Sequence, residues 1–247
     1  MLATMAFALA DQQYNVRGED VYRIGPSSAT SRVSYDGSQL LAVTREGKQA
    51  RYDAQARYVR HDAAGKSEVT ARFVQELLPN GTFTDRLDED PDFLTILNQP
   101  FAVQLDGMTM HDLKHLHVPV PFGATSPLGD GAVLRGFLRP GTAGEIGSRA
   151  VISVRFEADG PMNGPLPGDS HATMFGRMRM DGTAFYAVDN AMLLGLDATL
   201  TIDAKLKSSA QSVPVQIVYR RNIRAVPKTP QPTPLATDAG TASPPAP

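Results

Sequence analysis

Residues 192–207 read MLLGLDATLTIDAKLK, and apolar and polar side chains alternate along this stretch. A period of two places all the apolar side chains on one face of a strand and the polar ones on the other. The stretch therefore predicts an antiparallel sheet with one face in a core or cavity and the other in water. The apolar positions are Met192, Leu194, Leu196, Ala198, Leu200, Ile202, Ala204 and Leu206.

The same alternation recurs along the chain and predicts further strands at residues 66–77, 151–158, 172–180 and 212–223. Residues 48–60 contain good helix formers, but their period of two favours a strand. Asp-Gly and Asn-Gly pairs are typical of tight hairpin turns, and the pair between Met180 and Thr183 is predicted to be the clearest hairpin. The pairs are Asp36-Gly37, Asn80-Gly81, Asp106-Gly107, Asp159-Gly160 and Asp181-Gly182. The predicted fold is mainly β: a large curved antiparallel meander, half-barrel or sandwich-like.

One or two short helices are expected beside the sheet. Thr109 and Asp112 have the spacing of a capping box, which predicts a helix over residues 109–116, and a second helix is predicted over residues 93–97. Asp88, Asp90 and Asp92 have the spacing that opens a calcium loop, but the glycine and glutamate that such a loop needs are missing. The three aspartates are therefore interpreted as a solvated acidic turn, with Asp92 capping the second helix.

Length and composition predict one mainly β domain over residues 11–226. A net charge of -2 provides no basic surface for nucleic acid, and the absence of cysteine excludes disulfides and thiol catalysis. No transmembrane segment is expected. Residues 227–247 are rich in Pro, Ala and Thr, which predicts a disordered tail. Residues 1–10 end in Ala8-Leu9-Ala10 and resemble the remnant of a signal peptide. Export to the periplasm or cell envelope is therefore expected.

His111 and His115 lie four residues apart on the predicted 109–116 helix, a spacing that could chelate a metal ion with His117 or Asp106 as a third ligand. The residue after His111 is Asp112, where zinc proteases carry a longer glutamate, and the helix is only about two turns long. We therefore expect these histidines to face solvent without a metal, and we expect no cofactor. A metal-dependent hydrolase is the second alternative for the function, and an enzyme is the less favoured class.

Two other functions compete for a chain of this kind. In the first, the sheet covers an apolar cavity, and the protein binds or carries a lipid or another apolar small molecule. The architecture resembles that of envelope lipoprotein carriers of the half-barrel kind, although no motif supports the resemblance. In the second, the protein is a structural or protein-interaction module with a closed core, and the sequence leaves its oligomeric state open. The residues predicted to line the cavity are Met174, Met178, Met180, Leu196 and Leu200.

Overall fold

The computed structural model describes residues 7–25, 30–46, 49–78, 83–95, 119–125, 133–166, 169–207 and 211–227. Within these ranges the chain forms eleven strands that belong to one sheet. The strands are β1 (Phe7–Ile24), β2 (Thr30–Glu46), β3 (Gln49–Asp62), β4 (Gly65–Leu77), β5 (Phe83–Glu89), β6 (Val120–Thr125), β7 (Val133–Ile146), β8 (Arg149–Leu166), β9 (Asp169–Ala187), β10 (Leu193–Lys207) and β11 (Ser212–Ala225).

The strand order across the sheet is β5-β4-β3-β2-β1-β11-β10-β9-β8-β7-β6. Each half is a meander of consecutive antiparallel strands, and the pairing of β1 with β11 joins the two halves at the centre. The sheet is open, with β5 and β6 at its two edges. The prediction of a mainly β protein built as an open, curved antiparallel meander is confirmed.

One face of the sheet, the inner face, carries a single large hydrophobic cluster. It receives side chains from β1–β4 and from β6–β11, together with Leu94, which follows β5. Alternation along the strands produces this face: in β11, for example, Val215, Ile217, Tyr219 and Ile223 are buried and share one parity. Burying a large apolar side chain contributes about 1.5–3 kcal/mol. The inner face is therefore the main source of stability, and the opposite, outer face carries charged pairs.

Strand β10 confirms the alternation from Leu196 onward but corrects it at the start. Leu196, Leu200 and Ile202 are buried in the main cluster, whereas Leu194 packs with Val151 and Ala187 in a small second cluster. The pairing of β10 with β9 shifts register between Leu193 and Gly195. This irregularity adds one residue to β10, so the residues before it point to the opposite face of the sheet from the one that the alternation predicts. Met192 also packs against this second cluster, so the prediction that Met192 and Leu194 share a face with Leu196 is wrong.

Three of the predicted turns lie inside strands. Asp36-Gly37 belongs to β2, Asp159-Gly160 to β8, and Asp181-Gly182, the predicted clearest hairpin, to β9. A Cβ atom on Gly182 would collide with the carbonyl oxygen of Asp197 in β10. This glycine therefore permits a close approach between strands and does not form a turn. Asn80-Gly81 and Asp106-Gly107 lie outside the described residues.

The described residues contain no helix, and the ambiguous residues 48–60 are confirmed as a strand by β3. The predicted second helix is wrong over its described part, because residues 91–95 form turns. Phe93 has a φ angle of 53°, which a right-handed helix does not allow. Residues 96 and 97 and the predicted 109–116 helix lie outside the described residues.

The division of the chain into leader, domain and tail stays a prediction. Residues 7–10 belong to β1, and residues 1–6 and 228–247 lie outside the described part. In that part we find no helix with the length and apolar character needed to cross a membrane.

Candidate functional site

The five residues predicted to line a ligand cavity lie next to one another on the inner face of β9 and β10. Leu200 pairs with Met180, and Leu196 lies four residues before Leu200 along the same face. All five are buried, with at most 3% of any of them exposed. Methionine adapts its shape to irregular neighbours, so this row suits either a packed core or a ligand. Its role as a ligand site stays a prediction.

Three cavities with described linings have volumes of about 560, 460 and 580 Å³. Residues of β2, β3 and β4 provide most of the first lining, β9, β10 and β11 most of the second, and β7, β8 and β9 the third. None of the five predicted residues belongs to these three linings.

A polar cluster interrupts the apolar inner face at the centre of the sheet. Asp20 of β1 and Arg221 of β11 form an ion pair in which both side chains are 0% exposed. Arg221 Nη1 donates to Asp20 Oδ1 at 2.5 Å, and Nη2 lies 3.4 Å from Oδ2. Charged side chains are rarely buried this completely unless they are paired. Each partner therefore depends on the other.

A glycine makes room for this ion pair. Gly18 of β1 lies directly opposite Arg221 of β11 and opposite Tyr35 of β2. A Cβ atom at Gly18 would lie 3.1 Å from both Arg221 Nη1 and Tyr35 Cδ2, closer than nearly all such contacts. The guanidinium fills this space and lies 5.2 Å from the centroid of the Tyr35 ring and 5.5 Å from that of Tyr219. Cation–π attraction adds to the stability of the buried charge.

Tyrosine hydroxyls complete the hydrogen bonding of the two acidic side chains in the cluster. Tyr35 donates to Asp20 Oδ2 at 2.8 Å and also lies 3.1 Å from Asp92 Oδ1. Tyr22 donates to Asp20 Oδ2 at 3.2 Å, and Tyr58 donates to Asp92 Oδ2 at 2.7 Å. Asp20 and Asp92 therefore share the hydroxyl group of Tyr35. In addition, Tyr22 binds Asp20 and Tyr58 binds Asp92.

Asp92 belongs to residues 90–95, which we call the strap, because this segment leaves β5 and crosses the inner face. Its contacts reach β2, β3 and β11: the Asp92 carbonyl accepts from Arg221 Nη2 at 2.6 Å, and the Thr95 carbonyl accepts from Tyr52 at 2.8 Å. The Phe93 ring packs edge-on against Tyr219, with centroids 5.6 Å apart. Leu94 is completely buried in the main cluster.

The interpretation of the three aspartates as a solvated acidic turn is wrong for Asp90 and Asp92, whereas Asp88 is exposed and belongs to β5. Asp90 is buried, and its carboxylate accepts from the backbone N–H groups of Leu94 and Thr95 at 2.9 and 2.6 Å and from the Thr95 hydroxyl at 2.7 Å. Asp92 binds inner-face side chains instead of capping a helix. Backbone donors and tyrosines have replaced the water that the sequence pattern suggested.

Burial controls the titration of the cluster. Burial raises the pKa of Asp20 above its usual value, and the charge and hydrogen bonds of Arg221 offset only part of that rise. Burial also opposes the charge of Arg221, yet the carboxylate of Asp20 raises the pKa of Arg221. The hydroxyls of Tyr22, Tyr35 and Tyr58 have raised pKa values, first because of burial and then because of the nearby aspartates.

Taken together, these contacts organise the inner face. The acidic oxygens of Asp20 and Asp92 are occupied by arginine and tyrosine donors, and the cluster has no serine, cysteine or histidine nucleophile. Within the described ranges, no group of three or more histidine and acidic side chains could hold a metal ion. His111, His115 and His117 lie outside those ranges, so their interpretation stays a prediction.

Sequence reasoning did not identify this cluster, although strand parity contained the signal. Arg221 stands at the one charged position in the otherwise apolar row from Val213 to Ile223, and Asp20 shares the parity of Tyr14 and Val16. A charged residue at an inward position of a strand indicates a buried partner.

Comparison of the chain with models of known protein families and with curated proteins finds no match to either.

Proposed function

We propose that the protein is a non-enzymatic protein of the cell envelope that binds an apolar small molecule or lipid chain against the inner face of its sheet. The observation that supports this most directly is the row of buried methionines on β9, which pair with leucine and isoleucine on the adjacent strand β10. Such a surface adapts to apolar molecules of different shape.

The open sheet also favours this proposal over the closed structural module. The described edges β5 and β6 do not pair with each other in the strand order. Among the described residues, the strap covers part of the inner face over β2, β3 and β11 through side-chain contacts, which separate more easily than hydrogen-bonded strands. Ligand sites are usually concave, mostly apolar surfaces of this kind.

Titration with the apolar fluorescent probe N-phenyl-naphthylamine tests the proposal. Saturable enhancement of its fluorescence, reversed by an unlabelled long-chain alcohol, is expected. The absence of saturable binding to the folded protein would contradict the proposal and favour the closed module.

The variant Ala184→Leu separates a ligand site from a closed core. Ala184 is completely buried and pairs with Leu196 on β10 and Val154 on β8. In a closed core the larger side chain should destabilise the protein by about 1–3 kcal/mol. In a ligand site it should fill space, weaken probe binding and leave stability nearly unchanged. Thr183→Leu, on the adjacent and less buried position, is the matched control.

A further inference from the structure

The strap is held to the sheet by side chains and not by a strand ladder. Tyr35 and Tyr58 bind the Asp92 carboxylate, Arg221 binds the Asp92 carbonyl, and Tyr52 binds the Thr95 carbonyl. These contacts belong to β2, β3 and β11, and β1 lies between β2 and β11. The strap therefore spans four neighbouring strands and is held there by these polar contacts and by the burial of Leu94.

Two features of the closed strap are unfavourable. Phe93 has a φ angle of 53°, a region that costs a non-glycine residue of order 1 kcal/mol or more. Arg221 Nε is buried without a hydrogen-bond partner among the described residues. Unsatisfied buried donors also cost free energy, because they give up their bonds to water. Release of the strap would relieve the backbone strain at Phe93.

We infer that the strap is a releasable cover of the inner face, and that an apolar chain of a ligand takes the place of Leu94 and Phe93 when the strap is released. This inference rests on the proposed function. Leu94 now fills the apolar cluster, and Phe93 covers the ring of Tyr219. A ligand that binds only the released form shifts the population toward that form. Its apparent affinity rises when the closed form is weakened.

A single tryptophan can report release of the strap. The chain contains no tryptophan, so Phe93→Trp provides a single tryptophan, which can be excited selectively over tyrosine, at a half-buried position next to Tyr219. In urea, we expect the tryptophan emission to change at a lower concentration than the circular dichroism of the sheet. Coincidence of the two transitions would overturn the inference, because the strap would then unfold only with the core.

A pair of tyrosine variants in the Phe93→Trp protein tests the contacts that hold the strap. Tyr58→Phe removes a hydrogen bond to Asp92 and is expected to raise the released population about tenfold, which lowers the urea midpoint of the tryptophan transition. Tyr22→Phe is the matched control, because the Tyr22 hydroxyl binds Asp20 and not the strap. For each variant, the urea midpoint of the tryptophan transition is compared with the midpoint of the circular dichroism of the sheet. If the difference between the two midpoints changes equally in Tyr58→Phe and Tyr22→Phe, the assignment of Tyr58 to the strap is overturned.

Binding of N-phenyl-naphthylamine separates this inference from the proposed function. Tyr58→Phe should bind the probe several-fold more tightly than Tyr22→Phe. Saturable binding of equal strength in both variants would overturn the role of the strap in ligand access and leave the proposed function standing. If no variant binds the probe while the tryptophan transition still precedes unfolding of the sheet, the proposed function fails. The strap is then a releasable segment whose release does not serve ligand binding.

Discussion

Asp20 and Arg221 show how a single buried pair constrains the centre of the sheet. Both residues lie at inward positions, where the residues two positions before and after them on the same face are apolar, aromatic or glycine. Removing one partner of a buried pair leaves an uncompensated charge, whereas replacing both can be nearly neutral. We therefore expect the pair to fix the register of β1 against β11 more than it adds to the free energy of unfolding.

The Asp20→Asn variant is expected to lower the free energy of unfolding by about 3–5 kcal/mol, because Arg221 would remain charged and buried. The double variant Asp20→Asn with Arg221→Met should recover much of this loss. Glu19→Gln is the matched control: Glu19 is the preceding residue on the outer face, and its ion pairs with Arg32 and Arg220 are partly exposed. Urea unfolding should show a loss of less than about 1 kcal/mol for this control. Additive losses in the double variant would contradict the account.

All seven tyrosines of the chain have raised pKa values, mainly because they are buried. The folded protein then retains hydroxyl protons that the unfolded chain releases above its tyrosine pKa of 10.0. Stability should therefore be unaffected by tyrosines below this pH and fall above it, by up to about 1.4 kcal/mol per pH unit for each tyrosine. Tyrosinate absorbance and circular dichroism should change together in alkaline titration. Tyrosinate formation with the sheet intact would refute this expectation.

At the level of the strand, alternation was sufficient to predict which face is buried. Residues 192–207, 48–60 and 212–223 were all predicted as strands, and β10, β3 and β11 lie there. The alternation could not predict where a strand shifts register, because such a shift depends on the neighbouring strand. Leu194 was therefore assigned to the wrong face. Glycine was equally ambiguous, because an Asp-Gly pair suits a turn and also suits a strand that a neighbour approaches closely.

The variants Leu200→Ala and Thr199→Ala test the facing of β10. Leu200 is buried in the main cluster, whereas Thr199 is half-buried on the other face of the strand. We expect Leu200→Ala to cost about 2–5 kcal/mol if the core is packed, and less if Leu200 borders a ligand site. Thr199→Ala should be nearly neutral in urea unfolding. Similar losses at both positions would show that the strand register is wrong.

At the level of the whole molecule, composition and periodicity predicted an open, curved antiparallel meander, and the eleven-stranded sheet confirms it. The pairing of β1 with β11 was not predictable, because it joins strands about two hundred residues apart in sequence. The strap was missed for a related reason. Its aspartates are polar in sequence, and their hydrogen-bond partners are set by the fold: Asp92 binds tyrosines of distant strands, and Asp90 binds donors of Leu94 and Thr95.

Urea unfolding of the wild-type protein with increasing concentrations of dodecanol, below the level at which the alcohol aggregates, tests most directly whether the inner face binds apolar chains. A ligand that binds only the folded state raises the free energy of unfolding logarithmically, by about 2.7 kcal/mol at a free concentration of about one hundred times Kd. If the inner face binds apolar chains, the urea midpoint should rise in this way, and Ala184→Leu should reduce the rise. A midpoint that stays constant or falls at every concentration would contradict the account.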